Sequence, residues 1–167
     1  LETFIIEKGN GKINPLRFFD RCFQYIYSIK EIIIADDCVL YALGTSCFEG
    51  CEKLTTLTFP SSVQTLGTQC FYNTPNLKTI TFADTDEHPA QLASIGENCF
   101  WECGIESFTV PSSVKSISRQ AFHSCEVLET VSIPAGTTSV DKEAFYLCNK
   151  LKAIDVDKAN ETYSSSD

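Results

Sequence analysis

The chain lacks any run of about 18 consecutive apolar residues, the length that a membrane-spanning helix requires. It is also poor in basic residues: 13 lysines and arginines stand against 22 aspartates and glutamates, the net charge is −9, and the basic residues form no cluster. Proteins that bind the phosphate backbone of nucleic acids rely on such clusters. We therefore expect no membrane insertion within this chain and no nucleic-acid partner.

The chain also lacks the common catalytic motifs, with no Gly-rich phosphate loop, nucleophile elbow or His-Glu-x-x-His. Asp84, Asp86, Glu87 and His88 do crowd together before Pro89, and carboxylates beside an imidazole are formally an acid–base or cation-binding set. The stretch lacks the Gly and the distal Glu of a calcium loop, so we interpret it as a solvated loop. We predict no catalytic residues and no cofactor.

What the chain does contain is a repeat anchored on phenylalanine. Cys or Ala precedes each anchor, and Leu or Ile, an apolar pair and often Pro follow it at nearly constant distances. The six anchors are Phe23, Phe48, Phe71, Phe100, Phe122 and Phe145. The longest interval, between Phe71 and Phe100, contains the extra residues 84–90, and insertions of this kind belong in loops.

Each repeat contains a short segment in which apolar and polar residues alternate, which is typical of a strand with one buried face. The predicted strands are Phe4–Ile6, Glu31–Ile34, Thr56–Phe59, Thr79–Phe82, Ser107–Val110, Thr130–Ile133 and Ala153–Val156. Strands that recur with a period of about 23 residues stack into a parallel sheet. We predict one α/β-class solenoid domain over residues 1–167, with about six to seven repeats, one strand per repeat, mostly irregular return segments and little helix.

The residues from Cys47 to Val63, CFEGCEKLTTLTFPSSV, resemble the BspA-like leucine-rich repeat family, with its cadence I-P-x-x-V-x-x-I-x-x-x-A-F-x-x-C-x-x-L-x-x-I. The units around Phe122 and Phe145 match equally well. The resemblance implies a surface or secreted protein of a host-associated bacterium, or less often of a mucosal protozoan, that is used in adhesion. It implies no catalytic residues, and we expect the chain to be a piece of a longer protein.

All nine cysteines occupy repeat positions, which predicts free, buried thiols. Four precede an anchor Phe, four lie three residues after one, and Cys38 takes the place of a core Val. Before the anchor, Cys alternates with Ala, as expected of a small buried site. A disulfide framework is the alternative, disfavoured by the odd count. The pairs Cys47/Cys51 and Cys99/Cys103 could ligate zinc, but their C-x₃-C spacing and the scarcity of histidine lead us to predict no metal site.

Two rows of residues are candidate ligand-binding surfaces. The first, the sheet face, is the outward set of hydroxyl side chains Thr56, Thr58, Thr79, Thr81, Ser107, Thr109, Thr130 and Ser132. It could hydrogen-bond an extended polypeptide or glycan, although strand propensity alone also favours threonine. The second, the ring edge, follows the later anchors and comprises Tyr72, Trp101, His123 and Tyr146. Such rings can contact sugars or apolar side chains, or simply shield the core.

The sequence therefore predicts a non-catalytic module at the cell surface or in the extracellular space. We expect it to bind a protein or glycan of a host or of a neighbouring cell. A structural spacer or stalk that presents other domains is one alternative. A polysaccharide-processing β-helix enzyme is a more distant one, because it needs carboxylates on neighbouring rungs and Asp155 stands beside Ser132 and Thr109.

Overall fold

The computed structural model of the chain describes residues 2–6, 16–35 and 38–165. These residues form short strands joined by turns, and none of them is helical. The strands are β1 (Thr3–Ile6), β2 (Leu16–Phe18), β3 (Glu31–Ile34), β4 (Leu40–Leu43), β5 (Thr56–Phe59), β6 (Thr65–Leu66), β7 (Thr79–Phe82), β8 (Ser94–Ile95), β9 (Ser107–Thr109), β10 (Ser116–Ile117), β11 (Thr130–Ile133), β12 (Ser139–Val140) and β13 (Ala153–Val156).

The odd-numbered strands form the first side of a parallel-strand solenoid, so the predicted fold is confirmed. All seven predicted strands are present, and their bounds agree with the prediction to within one residue. Equivalent residues of successive repeats are paired; Thr56 lies opposite Thr79 and Leu57 opposite Ile80. The alternation places Leu57 and Phe59 in the core and leaves Thr56 and Thr58 exposed.

The first side is interrupted in the middle. It consists of a four-stranded sheet, β1-β3-β5-β7, and a three-stranded sheet, β9-β11-β13. The break coincides with a turn that is one residue shorter than its equivalents: Thr79 lies eight positions after Phe71, but Ser107 lies seven positions after Phe100. In the shortened turn, Gly104 packs directly against the backbone carbonyl of Pro75.

The return segments are more regular than the sequence predicts. The even-numbered strands form a second, continuous sheet of six parallel strands in the order β12-β10-β8-β6-β4-β2. Four of these strands are only two residues long, too short for an alternating pattern to be recognised in the sequence. Their apolar residues, such as Leu66, Ile95 and Ile117, still point into the core.

A turn side closes each repeat around the anchor Phe. The anchor amide donates a hydrogen bond to the carbonyl of the residue that precedes the next anchor: Phe48 N to Cys70 O spans 2.7 Å, and Phe100 N to Ala121 O also spans 2.7 Å. Most residues two positions before or after an anchor have positive φ, for example Gln69 and Asn73 at 57° and 52°. The compact turns thereby satisfy their backbone groups between repeats.

The core is a column of phenylalanine rings. Anchor rings of successive repeats stack with centroid separations of 5.0 to 5.3 Å, from Phe23 to Phe145. The four anchors from Phe48 to Phe122 are fully buried. Because each repeat is covered by its neighbours, the column fixes the spacing of every surface row described below.

Candidate functional site

The sheet face lies where the sequence places it. Seven of its eight hydroxyl residues are exposed, and Thr130 is half-buried. The structure aligns them in two rows, in which Thr56 pairs with Thr79 and Thr58 with Thr81, and Ser107 pairs with Thr130 and Thr109 with Ser132. The break between β7 and β9 divides the face into two patches of four residues.

The hydroxyl groups of the first patch are partly occupied by one another. Thr58 Oγ1 and Thr81 Oγ1 are 3.1 Å apart, a distance at which one hydroxyl donates to the other. This contact stabilises neighbouring rungs, as expected for paired threonines in a sheet. A ligand on this patch would have to use the remaining acceptor and donor capacity of the pair.

The character of the sheet face changes at its two ends. At the amino-terminal end, one outward row continues from Thr56 to Glu31 and Thr3, and the other contains Ile5 and Ile33, which pair with each other and are exposed. At the carboxyl-terminal end, Asp155 pairs with Ser132. No second carboxylate lies beside Asp155 on the two preceding rungs, where Ser132 and Thr109 stand, so the row lacks the paired acids that a glycosidase uses.

The ring edge is a stack of side chains that touch each other. Ring centroids are 5.8 Å apart between Tyr72 and Trp101, 3.7 Å between Trp101 and His123, and 5.3 Å between His123 and Tyr146. Tyr146 is exposed, Tyr72 and Trp101 are half-buried, and His123 is buried. The rings therefore both cover the turns and present a continuous surface.

His123 is the most enclosed member of the ring edge. Its Nδ1 lies 2.8 Å from Ser124 Oγ, and burial lowers the pKa of its imidazole against the opposing effect of Glu102 and Glu143. A neutral ring stacked on Trp101 is suited to packing rather than to proton transfer. His123 is 7% exposed, so it contributes to the ring edge mainly through its stacking on Trp101.

The sequence analysis missed the aromatic residues that extend this surface in the first repeat. Tyr25 and Tyr27 are exposed, with ring centroids 6.0 Å apart. Tyr25 donates its hydroxyl to Glu49 Oε1 over 2.6 Å, and Gln24 donates to Glu49 Oε2 over 3.0 Å. Tyr25 stands two positions after its anchor, whereas the residues of the ring edge stand one position after theirs. The repeat pattern that identifies the ring edge therefore does not include Tyr25.

Glu49 is held as a carboxylate at this point. Partial burial raises the pKa of Glu49, but hydrogen bonds from Ser46, Tyr25 and Gln24 outweigh it and lower the pKa below its usual value. The carboxylate therefore carries its charge at neutral pH. Glu49 stands one position after its anchor, where the following four repeats carry Tyr72, Trp101, His123 and Tyr146.

The cysteines after the anchors form a ladder of hydrogen bonds. Each donates its thiol to the carbonyl of an anchor Phe in the preceding repeat, as in Cys125 Sγ to Phe100 O at 2.9 Å and Cys148 Sγ to Phe122 O at 2.9 Å. Cys51 and Cys103 do the same, and burial raises the pKa of both thiols to about 12. Thr74 replaces Cys in one repeat, but its hydroxyl donates to the carbonyl of Phe71, the anchor of its own repeat, at 2.8 Å.

All nine cysteines are free thiols in the structure, and eight of them are buried. Cys22 is the exception to the prediction, because it is exposed. Within residues 2–6, 16–35 and 38–165, no group of three or more His, Cys, Asp or Glu side chains is arranged to hold a metal ion. In the same residues, no helix is long and apolar enough to cross a membrane.

The acidic loop has a structural role. Asp84 accepts hydrogen bonds from the Ala90 and Ser112 amides, both at 3.0 Å, and thereby ties the insertion to the next repeat. These bonds lower the pKa of Asp84. Asp86, Glu87 and His88 are exposed, as expected for a solvated loop.

Comparisons with known proteins place the chain in a family. The family model of the BspA-type leucine-rich repeat region matches six copies, over residues 17–88 and 86–166. A search of curated proteins found no match.

Solved structures share the fold. A leucine-rich repeat protein of T. pallidum is 23% identical with a TM-score of 0.78, and the match covers 89% of this chain and 66% of that one. A leucine-rich cell surface protein of Faecalibacterium prausnitzii is 19% identical with a TM-score of 0.60, covering 100% of this chain and 63% of that one. The pneumococcal vaccine antigen PcpA is 20% identical with a TM-score of 0.57, and the match covers 92% of this chain and 39% of that one.

The chain thus spans less than two thirds of the Faecalibacterium prausnitzii protein. The family match covers far more than half of the chain and agrees with the anchor spacing, the strand positions and the stacked core. This chain belongs to the BspA-type leucine-rich repeat family.

Proposed function

We propose that this chain is a non-catalytic binding module of a cell-surface or secreted protein, and that it mediates adhesion to a host or neighbouring cell. The observation that carries the proposal is the sheet face, where exposed hydroxyl groups cover four repeats without a charged side chain among them. Hydroxyl groups both donate and accept, which suits the backbone of an extended polypeptide or the hydroxyls of a glycan. The surface location is supported by the description of the Faecalibacterium prausnitzii relative as a cell surface protein.

The ring edge is the second candidate surface for the same function. Tyr146 and the half-buried rings of Tyr72 and Trp101 offer aromatic area, which is enriched where proteins bind partners. A structural spacer that presents other domains remains the alternative function. It is favoured by the hydrogen bond between Thr58 and Thr81, since a face whose hydroxyls satisfy one another needs no ligand.

The test is surface-plasmon binding of the purified chain to immobilised matrix proteins, mucins and glycans. The informative variant is Thr81→Arg/Thr109→Arg, which places two large cations on the sheet face. The matched control is Thr65→Arg/Ser139→Arg, because these two residues are equally exposed hydroxyls on the opposite sheet. A Trp101→Ala variant examines the ring edge.

We expect saturable binding that the sheet-face variant loses and the control variant retains. If circular dichroism shows that both double variants are folded and they bind equally well, the ligand binds a surface other than the sheet face. Absence of binding across the whole panel would favour the structural spacer.

A further inference from the structure

Large exposed hydrophobic side chains concentrate on the turn side. Seven such residues are exposed in the described part of the chain, and five of them lie there: Phe19, Tyr25, Tyr27, Tyr146 and Leu147. Single exposed hydrophobic residues are ordinary, but a concentration on one side is typical of an interaction surface. The ring edge runs from Tyr146 back to Tyr72 in the third repeat, and Glu49 stands in the second repeat, between Tyr72 and the tyrosines of the first.

The charged residues within this strip of the turn side are all acidic, and Arg21, two positions before the first anchor, lies just outside it and acts on Glu49. In each repeat the strip is formed by the residues from one position before the anchor to four positions after it, namely 22–27, 47–52, 70–75, 99–104, 121–126 and 144–149. The only charged residues in these segments are Glu49, Glu52, Glu102 and Glu126, and none is Lys or Arg. We name Tyr25, Tyr27, the ring edge and these four glutamates the aromatic–acidic strip.

The carboxylates lie among the rings. Tyr25 donates its hydroxyl to Glu49, and the ring packs on Gly50 so closely that a Cβ there would lie 2.4 Å from a ring carbon. Burial and the carboxylates of Glu102 and Glu49 raise the pKa of Tyr72, which shows that both acids act on this ring. Glu49 therefore lies beside the aromatic residues of the first repeat, in the repeat that separates them from Tyr72.

Rings next to carboxylates form a site for cations. A Lys or Arg side chain is attracted to an aromatic face within about 6 Å, and a carboxylate adds a full opposite charge. Exposed rings lie at the two ends of the strip, at Tyr25 and Tyr27 in the first repeat and at Tyr146 in the sixth. Exposed carboxylates lie between them, at Glu52, Glu102 and Glu126 in the second, fourth and fifth repeats. Arg is especially suited, because its planar group stacks on rings and binds carboxylates in a bidentate way.

We propose that the aromatic–acidic strip binds a segment of a partner polypeptide that carries several Lys or Arg side chains. The proposal rests on the function as a binding module and assigns the chemistry of the partner to the turn side. A neutral glycan can donate hydrogen bonds to carboxylates but carries no opposite charge to be attracted by four of them. A second copy of this chain carries the same net charge of −9 and would be repelled.

The probes for the test are dodeca-arginine, dodecalysine and a neutral Gly-Ser peptide of equal length. Binding is measured by isothermal titration calorimetry and by the emission of Trp101, which is the only tryptophan and lies within the strip. The informative variant is Glu102→Gln/Glu126→Gln. The matched control is Asp86→Asn/Glu87→Gln in the exposed insertion loop, which removes the same two negative charges.

We expect both cationic peptides to bind and to change Trp101 emission, with dodeca-arginine several-fold tighter and the neutral peptide inactive. The strip variant should weaken binding about tenfold, and the loop control less than twofold, at 0.15 M salt. A Tyr25→Leu variant should reduce the advantage of arginine over lysine.

Equal weakening by the two double variants would overturn the proposal, since it would show general attraction to an acidic protein. Binding without a change in Trp101 emission, or no binding at all, would overturn it as well. Failure of the sheet-face experiment leaves this test unaffected, because the two experiments use different ligands and variants on different sides of the solenoid.

Discussion

At the residue scale, the cysteine that lies three positions after four of the six anchors has a hydrogen-bonding role that its size alone does not reveal. Its thiol satisfies the anchor carbonyl of the preceding repeat, as Cys125 does for Phe100 at 2.9 Å. The cysteine before the anchor occupies a position where Ala121 and Ala144 are also buried. The position after the anchor therefore calls for a hydrogen-bond donor, whereas the position before the anchor calls only for a small side chain.

We predict that Cys125→Ala costs about 2 kcal/mol of the free energy of unfolding and Cys70→Ala about 1 kcal/mol. The first variant loses buried volume and leaves the Phe100 carbonyl with the Cys103 amide as its donor. The second loses volume and a thiol contact with Cys47, which the alanines at this position in other repeats do without. Urea unfolding followed by circular dichroism measures both values. Cys125→Thr is the control, since Thr74 at the equivalent position donates to the anchor of its own repeat. It should restore buried volume but not the bond to the Phe100 carbonyl, and equal costs for the two alanine variants would contradict the assignment.

At the element scale, the turn around Gly104 decides where the first side breaks. A Cβ on Gly104 would lie 2.0 Å from the Pro75 carbonyl oxygen, which is rigid backbone. A Cβ on Gly136 would meet the flexible end of Lys115 at 2.8 Å. Of these two glycines, only Gly104 lies so close to the backbone of the neighbouring repeat that a larger residue cannot be accommodated without moving it.

We predict that Gly104→Ala destabilises the protein by about 2 kcal/mol or more, because the two turns must separate. Gly136→Ala should change the stability by no more than about 0.5 kcal/mol, since the lysine side chain can move away. Thermal unfolding monitored by calorimetry distinguishes the two. A Gly104→Ala protein as stable as the parent would mean that the turns have room to adjust.

The insertion at residues 84–90 is attached to the rest of the solenoid mainly through one residue, Asp84. Asp84 binds the Ala90 and Ser112 amides, and its lowered pKa means that the folded state favours the carboxylate. The resulting stability is present above the unfolded-state pKa of about 3.9 and is lost as the pH falls through the lower folded-state pKa.

We predict that Asp84→Asn costs about 1 kcal/mol at pH 7 and that its difference from the parent disappears as the pH falls below about 4. Urea unfolding between pH 3 and pH 7 measures this dependence. Asp86→Asn is the matched control in the same exposed loop and should leave stability unchanged at every pH. A constant cost of Asp84→Asn across the range would exclude a role for the charge.

At the scale of the whole molecule, a solenoid is most exposed at its ends, because each repeat is covered only by its neighbours. The carboxyl-terminal tail covers part of the last repeat. Asn160 Nδ2 donates to the carbonyls of Pro134 and Thr137, both at 2.9 Å, and Tyr163 accepts a hydrogen bond from the Val140 amide. The nitrogen that N-glycosylation would modify at the Asn160-Glu161-Thr162 sequon is thus already engaged in these contacts.

We predict that Asn160→Ala costs about 2 kcal/mol locally and loosens the tail, because the Thr137 carbonyl loses its side-chain donor and the Pro134 carbonyl keeps only the Thr137 amide. Hydrogen exchange read by mass spectrometry should increase in β12 and β13 and stay unchanged in β5 to β8. Asn149→Ala, at an exposed residue, is the control. Uniformly faster exchange along the chain would show that the repeats open together rather than from the end.

The sequence by itself determined the solenoid, the seven strands of the first side and the outward direction of the sheet-face hydroxyls. These features follow from local periodicity: an anchor Phe, an alternating strand and a nearly constant spacing specify which residues each repeat must bury. The positions of the ring edge followed from the same spacing, and so did the small size of the residues before the anchors.

Only the tertiary structure decided the rest, because it depends on contacts between repeats rather than within them. Strands of two residues carry no readable pattern until neighbouring copies pair them, so the second sheet was not foreseen. The break beside Gly104, the burial of His123 and the exposure of Cys22 depend on what the adjacent repeat places against them. The same holds for Tyr25, whose approach to Glu49 crosses from one repeat to the next and brings a ring beside a carboxylate.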